Sequence, residues 1–163
     1  FVDSGISELK GKLGPIVWQF MPTKAFEPGD FEAFLALLPQ QVDGLRLRHA
    51  LDVRHPSFAT PAFVALARRY GCVPVHTDSD QFPAIADAEA DFAYLRLMRC
   101  QADVPTGYTA DAIAQWAQGV RTWTSGERPR DVFVFFINGA KERAPAGAME
   151  LLRQLGATPS RAA

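Results

Sequence analysis

The stretch His49-Ala50-Leu51-Asp52-Val53-Arg54-His55-Pro56 sets an acid, a base and an imidazole at the end of an apolar run that reads as a buried strand through Leu51–Arg54. Thr60-Pro61 follows almost at once. That pair has the form of a helix start, a hydroxyl cap with proline at the first helical position. Phe63, Leu66, Ala67 and Tyr70 then make an apolar stripe, and Gly71 supplies a stop. A strand feeding a helix within a few residues is the unit of an α/β fold with parallel pairing, because antiparallel neighbours need only a short hairpin. Within the strand, Asp52 and Arg54 fall on one face, since side chains two apart point the same way. Charges on a core-facing strand are costly unless paired or facing a wet cavity, so a site is expected here.

The same phrase repeats on both sides. Ile16-Val17-Trp18-Gln19-Phe20 reads as a strand between Gly14-Pro15 and Pro22. Asp30 is a candidate cap for a helix near 31–38, in which Phe31, Phe34, Leu35 and Leu38 recur at i, i+3, i+4 and i+7 before Pro39. Cys72–His76 is a short strand and Phe92–Leu97 a firmer one. Thr109 caps a helix carrying Ile113, Trp116, Ala117, Val120 and Trp123. Asp131–Ile137 is the strongest strand, and Phe133, Phe135 and Phe136 are expected in a core covered on both faces. A last helix near 143–155 ends at Gly156. Between 77 and 91 the sequence reads as loop. Five strands alternating with helices predict one α/β domain over 1–163: a lead-in over 1–12, βα units over 13–155 and a frayed tail over 156–163.

Composition narrows the function. With 163 residues, 48% of them hydrophobic, the chain is long enough for an ordinary globular core. Seventeen basic against 18 acidic residues give no field favouring nucleic acid or an anionic membrane. No run approaches the ~18 apolar residues of a membrane span, and no signal peptide is visible. Two cysteines without metal-ligand spacing argue against a disulfide framework or structural zinc and fit a reducing cytoplasm. Glycine-rich phosphate loops and a GxSxG nucleophile elbow are absent. No cofactor is therefore implied. His76 and Asp78 have a spacing that can serve a metal, yet no third ligand is in evidence and no metal site is assigned.

Four segments in order carry a resemblance. Gly14-Pro15-Ile16-Val17-Trp18-Gln19-Phe20-Met21-Pro22, Asp52-Val53-Arg54-His55-Pro56-Ser57-Phe58, Phe92-Ala93-Tyr94-Leu95-Arg96-Leu97 and Val132-Phe133-Val134-Phe135-Phe136-Ile137-Asn138 are similar to the motifs of domain of unknown function 72, the YecE-like family. That family shows a GPxLxQxPP-like strand, an ExRHxSW segment, a YxRxHG strand end and a final YxYFNN strand. The resemblance implies a TIM-like (β/α) barrel, of which this chain covers about five of eight strands as a partial barrel. Three departures stand out. Asp52 replaces the Glu of ExRH, Met98-Arg99 replaces His-Gly, and Ile137 replaces the first Asn of the last motif.

In such an architecture the C-terminal strand ends gather at one mouth. Two functional expectations follow. In the first, an enzyme acts on a small polar or anionic metabolite, with Gln19, Arg54, Arg96 and Asn138 binding and Asp52 or His55 moving a proton. In the second, the protein binds or assembles without catalysis, and Asp52 and Arg54 form a structural ion pair. Expected partners are a small anionic ligand and, through unpaired sheet edges, a second copy of the chain, with neither nucleic acid nor membrane.

Overall fold

The computed structural model describes residues 5–137 and 139–157, and they form a mixed α/β fold with parallel sheets and no closed barrel. Two compact units divide the chain, one comprising 1–75 with 85–90 and the other 76–84 with 91–163.

In the first unit, a 3-10 stretch Ile6–Lys12 leads to strand β1 (Ile16–Gln19), helix α1 (Pro28–Ala36), a hairpin of β2 (Gln41–Val42) and β3 (Leu45–Arg46), strand β4 (His49–Asp52), helix α2 (Pro61–Arg69) and strand β5 (Cys72–Pro74). β1, β4 and β5 form a parallel sheet in that order. Thr60 caps α2 as expected, its Oγ1 accepting the Phe63 N–H at 3.3 Å, and Gly71 follows at φ +65°. The start of α1 differs from expectation. Glu27 is the cap and Pro28 the first helical residue, because proline's fixed φ suits that position, and Asp30 lies inside the first turn paired with Lys24. The β2–β3 hairpin was not expected from the sequence. Asp43 (φ +47°) and Gly44 (φ +77°) form its two-residue turn, the backbone that Asp-Gly favours.

Aromatic rings fill this unit's core. Phe31, Phe58 and Phe63 are fully buried with centroids 5.0–5.8 Å apart in edge-on arrangements, and Phe26 packs on all three. Arg68 on α2 grips Asp87 through Nε at 3.2 Å and Nη2 at 2.5 Å, which fastens segment 85–90 to the unit.

The second unit contains β6 (His76–Asp78), β7 (Phe92–Leu97), α3 (Ala110–Ser125), β8 (Asp131–Phe136) and α4 (Ala144–Leu155), with β6, β7 and β8 parallel in that order. The expected single strand Cys72–His76 is thus two strands. Pro74 has no N–H to donate, and the Val75 N–H makes the last bond to the first sheet, at Leu51 O, before β6 begins. Leu97, Ile113, Ala117 and Leu151 form a core between β7 and the two helices. Gly147 allows α4 to approach closely, since a Cβ there would lie 2.7 Å from Thr106 O and 2.9 Å from the Phe136 ring.

The aromatic strand β8 is less covered than its sequence suggests. Phe135 is 42% exposed and Phe133 and Phe136 are half-buried, because β8 is an edge of its sheet. Phe133 and Phe135 stack instead on Tyr94 of the neighbouring strand, at 6.3 and 5.0 Å.

Phe58→Ala is expected to cost about 3–5 kcal/mol, as for other large-to-small changes in packed cores. Leu37→Ala, at a position 80% exposed, should stay within about 0.5 kcal/mol. Urea denaturation of the two variants beside the parent chain checks both values.

Candidate functional site

Parallel register places the first cluster. Gln19 pairs with Asp52, so the last residues of β1 and β4 stand side by side at the C-terminal ends of the strands. Arg54 lies two residues past β4, where the chain bends toward the 3-10 turn Pro56–Phe58, and not within the strand as expected. Its Nη2 donates to Gln19 Oε1 at 2.8 Å and to Asp52 Oδ2 at 3.2 Å. Asp52 is only 2% exposed, the Arg54 side chain 16%, and Gln19 is open to solvent. A buried carboxylate therefore holds a guanidinium that reaches outward to a surface amide. An arginine fixed in this way is prepared for a planar anion without losing the entropy of a free side chain on binding.

His55 is engaged differently. Its Nδ1 accepts the Ser57 backbone N–H at 3.2 Å and lies 2.8 Å from the Ser57 hydroxyl, capping the turn that seats Phe58 in the core. Ser57 Oγ in turn accepts the Phe26 N–H at 2.8 Å. With Nδ1 used as an acceptor, neutral His55 carries its proton on Nε2, so the ring offers a donor and not a base.

Deeper in β4, His49 is fully buried between Trp18 and Pro39. Nδ1 accepts the Trp18 indole N–H at 3.0 Å, and Nε2 donates to Pro39 O at 2.8 Å, which fixes the neutral ring in one tautomer. Burial pushes its pKa below the ordinary histidine value, against a smaller opposing effect of the Pro39 carbonyl.

Arg96 is half-buried on β7 of the second unit, and Asn138 lies outside the described residues. His76 and Asp78 share β6 and yet do not converge. The His76 ring meets Trp116 edge-on at 5.8 Å, whereas Asp78 Oδ2 accepts the Tyr108 hydroxyl at 2.9 Å. Among the described residues no group of three or more His, Cys, Asp or Glu side chains could hold a metal. Neither cysteine is favoured as a thiolate. Burial pushes the Cys72 thiol up to about 11, and burial with nearby Asp78 and Glu142 raises Cys100.

The second unit also contains a cavity of about 290 Å³ that the sequence did not reveal. Asp78, Arg99, Tyr108, Trp116, Gln101 and Gln115 line it. Tyr108 ties it together, donating to Asp78 while its oxygen accepts the Arg99 N–H at 2.7 Å. The His-x-Asp spacing at 76–78 and the Met98-Arg99 departure were the sequence signals near it.

Two parallel sheets flanked by helices, with polar clusters at or just beyond strand ends, define an α/β protein of βα-repeat type. The family model for the protein of unknown function DUF72 matches residues 1–163, and the chain belongs to that family. Its fold is similar to a DUF72 family protein from Enterococcus faecalis V583, with 17% identity, 97% of this chain and 67% of that one covered, and a TM-score of 0.73. A second crystal structure of the Enterococcus faecalis protein gives a TM-score of 0.72 over 98% of this chain and 65% of that one. A DUF72 family protein from Thermotoga maritima MSB8 is 18% identical, with 90% of this chain and 59% of that one covered and a TM-score of 0.68. The chain thus spans about two thirds or less of these relatives. No curated protein matches the sequence. No helix among the described residues is long and apolar enough to cross a membrane.

A lowered histidine pKa fixes the sign of a pH effect. Unfolded His49 takes up a proton near pH 6.5 while the folded ring resists it, so its contribution to stability is complete above that pH. As pH falls below 6.5 the parent should lose up to about 1.4 kcal/mol per pH unit from this group, until the folded ring also titrates. In urea titrations from pH 7.5 to 5, His49→Gln should remove that part of the slope. Parallel parent and variant profiles would contradict the assignment.

Proposed function

We propose that the protein binds a small anionic or polar metabolite at the C-terminal ends of β1 and β4, with Arg54 as the ligand-facing cation and Asp52 and Gln19 as the groups that orient it. One observation carries this: the Arg54 Nη2 is held by Gln19 Oε1 at 2.8 Å and Asp52 Oδ2 at 3.2 Å, along a gradient from a buried acid to an exposed amide. Active and binding sites of βα-repeat proteins lie at this end of the strands. For Arg96, in the second unit, and for Asn138 a binding role rests on the motif order alone. Parallel pairing within each sheet, together with that order, supports a TIM-like (β/α) ancestry for both units.

Acid–base chemistry is the more demanding version of this function. The cap made by His55 Nδ1 disfavours that ring as the base and leaves Asp52 as the group able to move a proton. A specific observation also favours a second function, a structural ion pair without a ligand, since Asp52 is almost wholly buried against Arg54.

Calorimetric titration with inorganic phosphate, glycerol 3-phosphate and malate separates the two. Binding at Arg54 predicts affinity for at least one of these anions, and a loss of about 1.5–3 kcal/mol, tenfold or more, in Arg54→Met. Unchanged affinity in Arg54→Met, or no binding by the parent, together with a stability loss of several kcal/mol, would establish the structural pair instead.

A further inference from the structure

The cavity of the second unit contains two opposite charges that do not close on each other. Asp78 Oδ2 is taken by the Tyr108 hydroxyl, and among the described residues the cation near Oδ1 is Arg99, its Nη1 at 3.7 Å. That is beyond hydrogen-bond length. Arg99 Nε lies 3.5 Å from Asp80 Oδ1 on the other side, so the guanidinium is drawn between two carboxylates and completes a bond with neither. The Arg99 backbone is fixed by its N–H bond to Tyr108, and the Asp78 carboxylate is fixed by the phenol of the same residue. Burial pushes the Tyr108 pKa far up, so the phenol stays protonated and remains Asp78's donor. Asp78 is 13% exposed and Arg99 55%, which sets the acid deeper and the base at the rim.

The remaining walls are suited to a small organic molecule. Trp116 presents a half-buried indole, and Gln101 and Gln115 bring two exposed side-chain amides. A volume of about 290 Å³ corresponds to roughly ten water molecules, room for a small metabolite.

We propose that this cavity binds a small zwitterion of the α-amino acid class, its ammonium group on Asp78 Oδ1 and its carboxylate on Arg99. A ligand with both charges satisfies both groups. A simple anion would be brought against Asp78 and Asp80, and a simple cation against Arg99, and like charges at such distances oppose binding. The side chain then lies along Trp116, with the two amides available to a polar substituent. Nothing in this site rests on the function proposed for Arg54.

Removing one charge at a time tests the assignment. Calorimetric titration of the full chain with L-serine, L-glutamine and L-leucine is compared with titration by the N-acetyl derivative and the carboxamide of each. At least one free amino acid should bind, and either blocking group should weaken it tenfold or more. Asp78→Asn keeps an oxygen for the Tyr108 hydroxyl and should weaken the free amino acid but not its N-acetyl form. Arg99→Met, at the exposed rim, should weaken the free amino acid but not its carboxamide. Should Asp78→Asn fold poorly by circular dichroism, Arg99→Met and the blocked ligands decide. No binding of any free amino acid at millimolar concentration, or binding indifferent to the blocking groups or to Arg99→Met, would overturn the proposal.

Discussion

A carboxylate buried at the end of a parallel strand has to be answered by a partner, and at Asp52 that requirement organises the first polar cluster. The acid is 2% exposed, in a sheet whose other buried members are apolar except His49. Leaving it unpaired would cost several kcal/mol. Arg54, two residues on, is a cation within reach, and the register that sets Gln19 beside Asp52 gives the guanidinium a second anchor. The sheet thereby turns a local electrostatic demand into an oriented cation at the strand ends. His49, three residues earlier on the same strand, meets the same demand as a neutral ring with both nitrogens bonded.

The second unit answers the same demand in another way. Asp78 also closes a parallel strand, but its partner is an uncharged phenol, which occupies one oxygen and leaves the other facing a cavity. The nearby cation, Arg99, is shared with Asp80. An acid satisfied by arginine projects positive charge outward. An acid satisfied by tyrosine keeps a negative charge available beside a positive one. The two clusters therefore present different charges, a cation at Arg54 and an acid beside a base at Asp78 and Arg99.

Much of the fold was legible because local chemistry and tertiary role coincide. Thr60-Pro61 and Thr109 read as caps and are caps, and Phe92–Leu97 is a strand with those bounds. Where local signals competed, the sequence misled. Proline overrode Asp30 at the start of α1, and the Asp43-Gly44 turn was hidden by the shortness of its two strands. Pro74 lies within an apolar run that looks continuous and yet marks the change from one sheet to the other. Of the site, the Asp52–Arg54 pair was visible from spacing two. The exposure gradient through Gln19 depends on a register between residues 33 apart in sequence, which spacing cannot supply. The cap at His55 needs the bend after β4, and the cavity needs Tyr108 folded back onto Asp78, 30 residues earlier.

The most direct test of the central constraint is a double-mutant cycle between Asp52 and Arg54, with stability measured by urea denaturation for Asp52→Asn, Arg54→Met and the pair. An acid that depends on its guanidinium predicts coupling of about 1–3 kcal/mol, the double variant being less destabilised than the sum of the singles. Additivity within about 0.5 kcal/mol would show that the two charges do not answer each other, and would contradict the account.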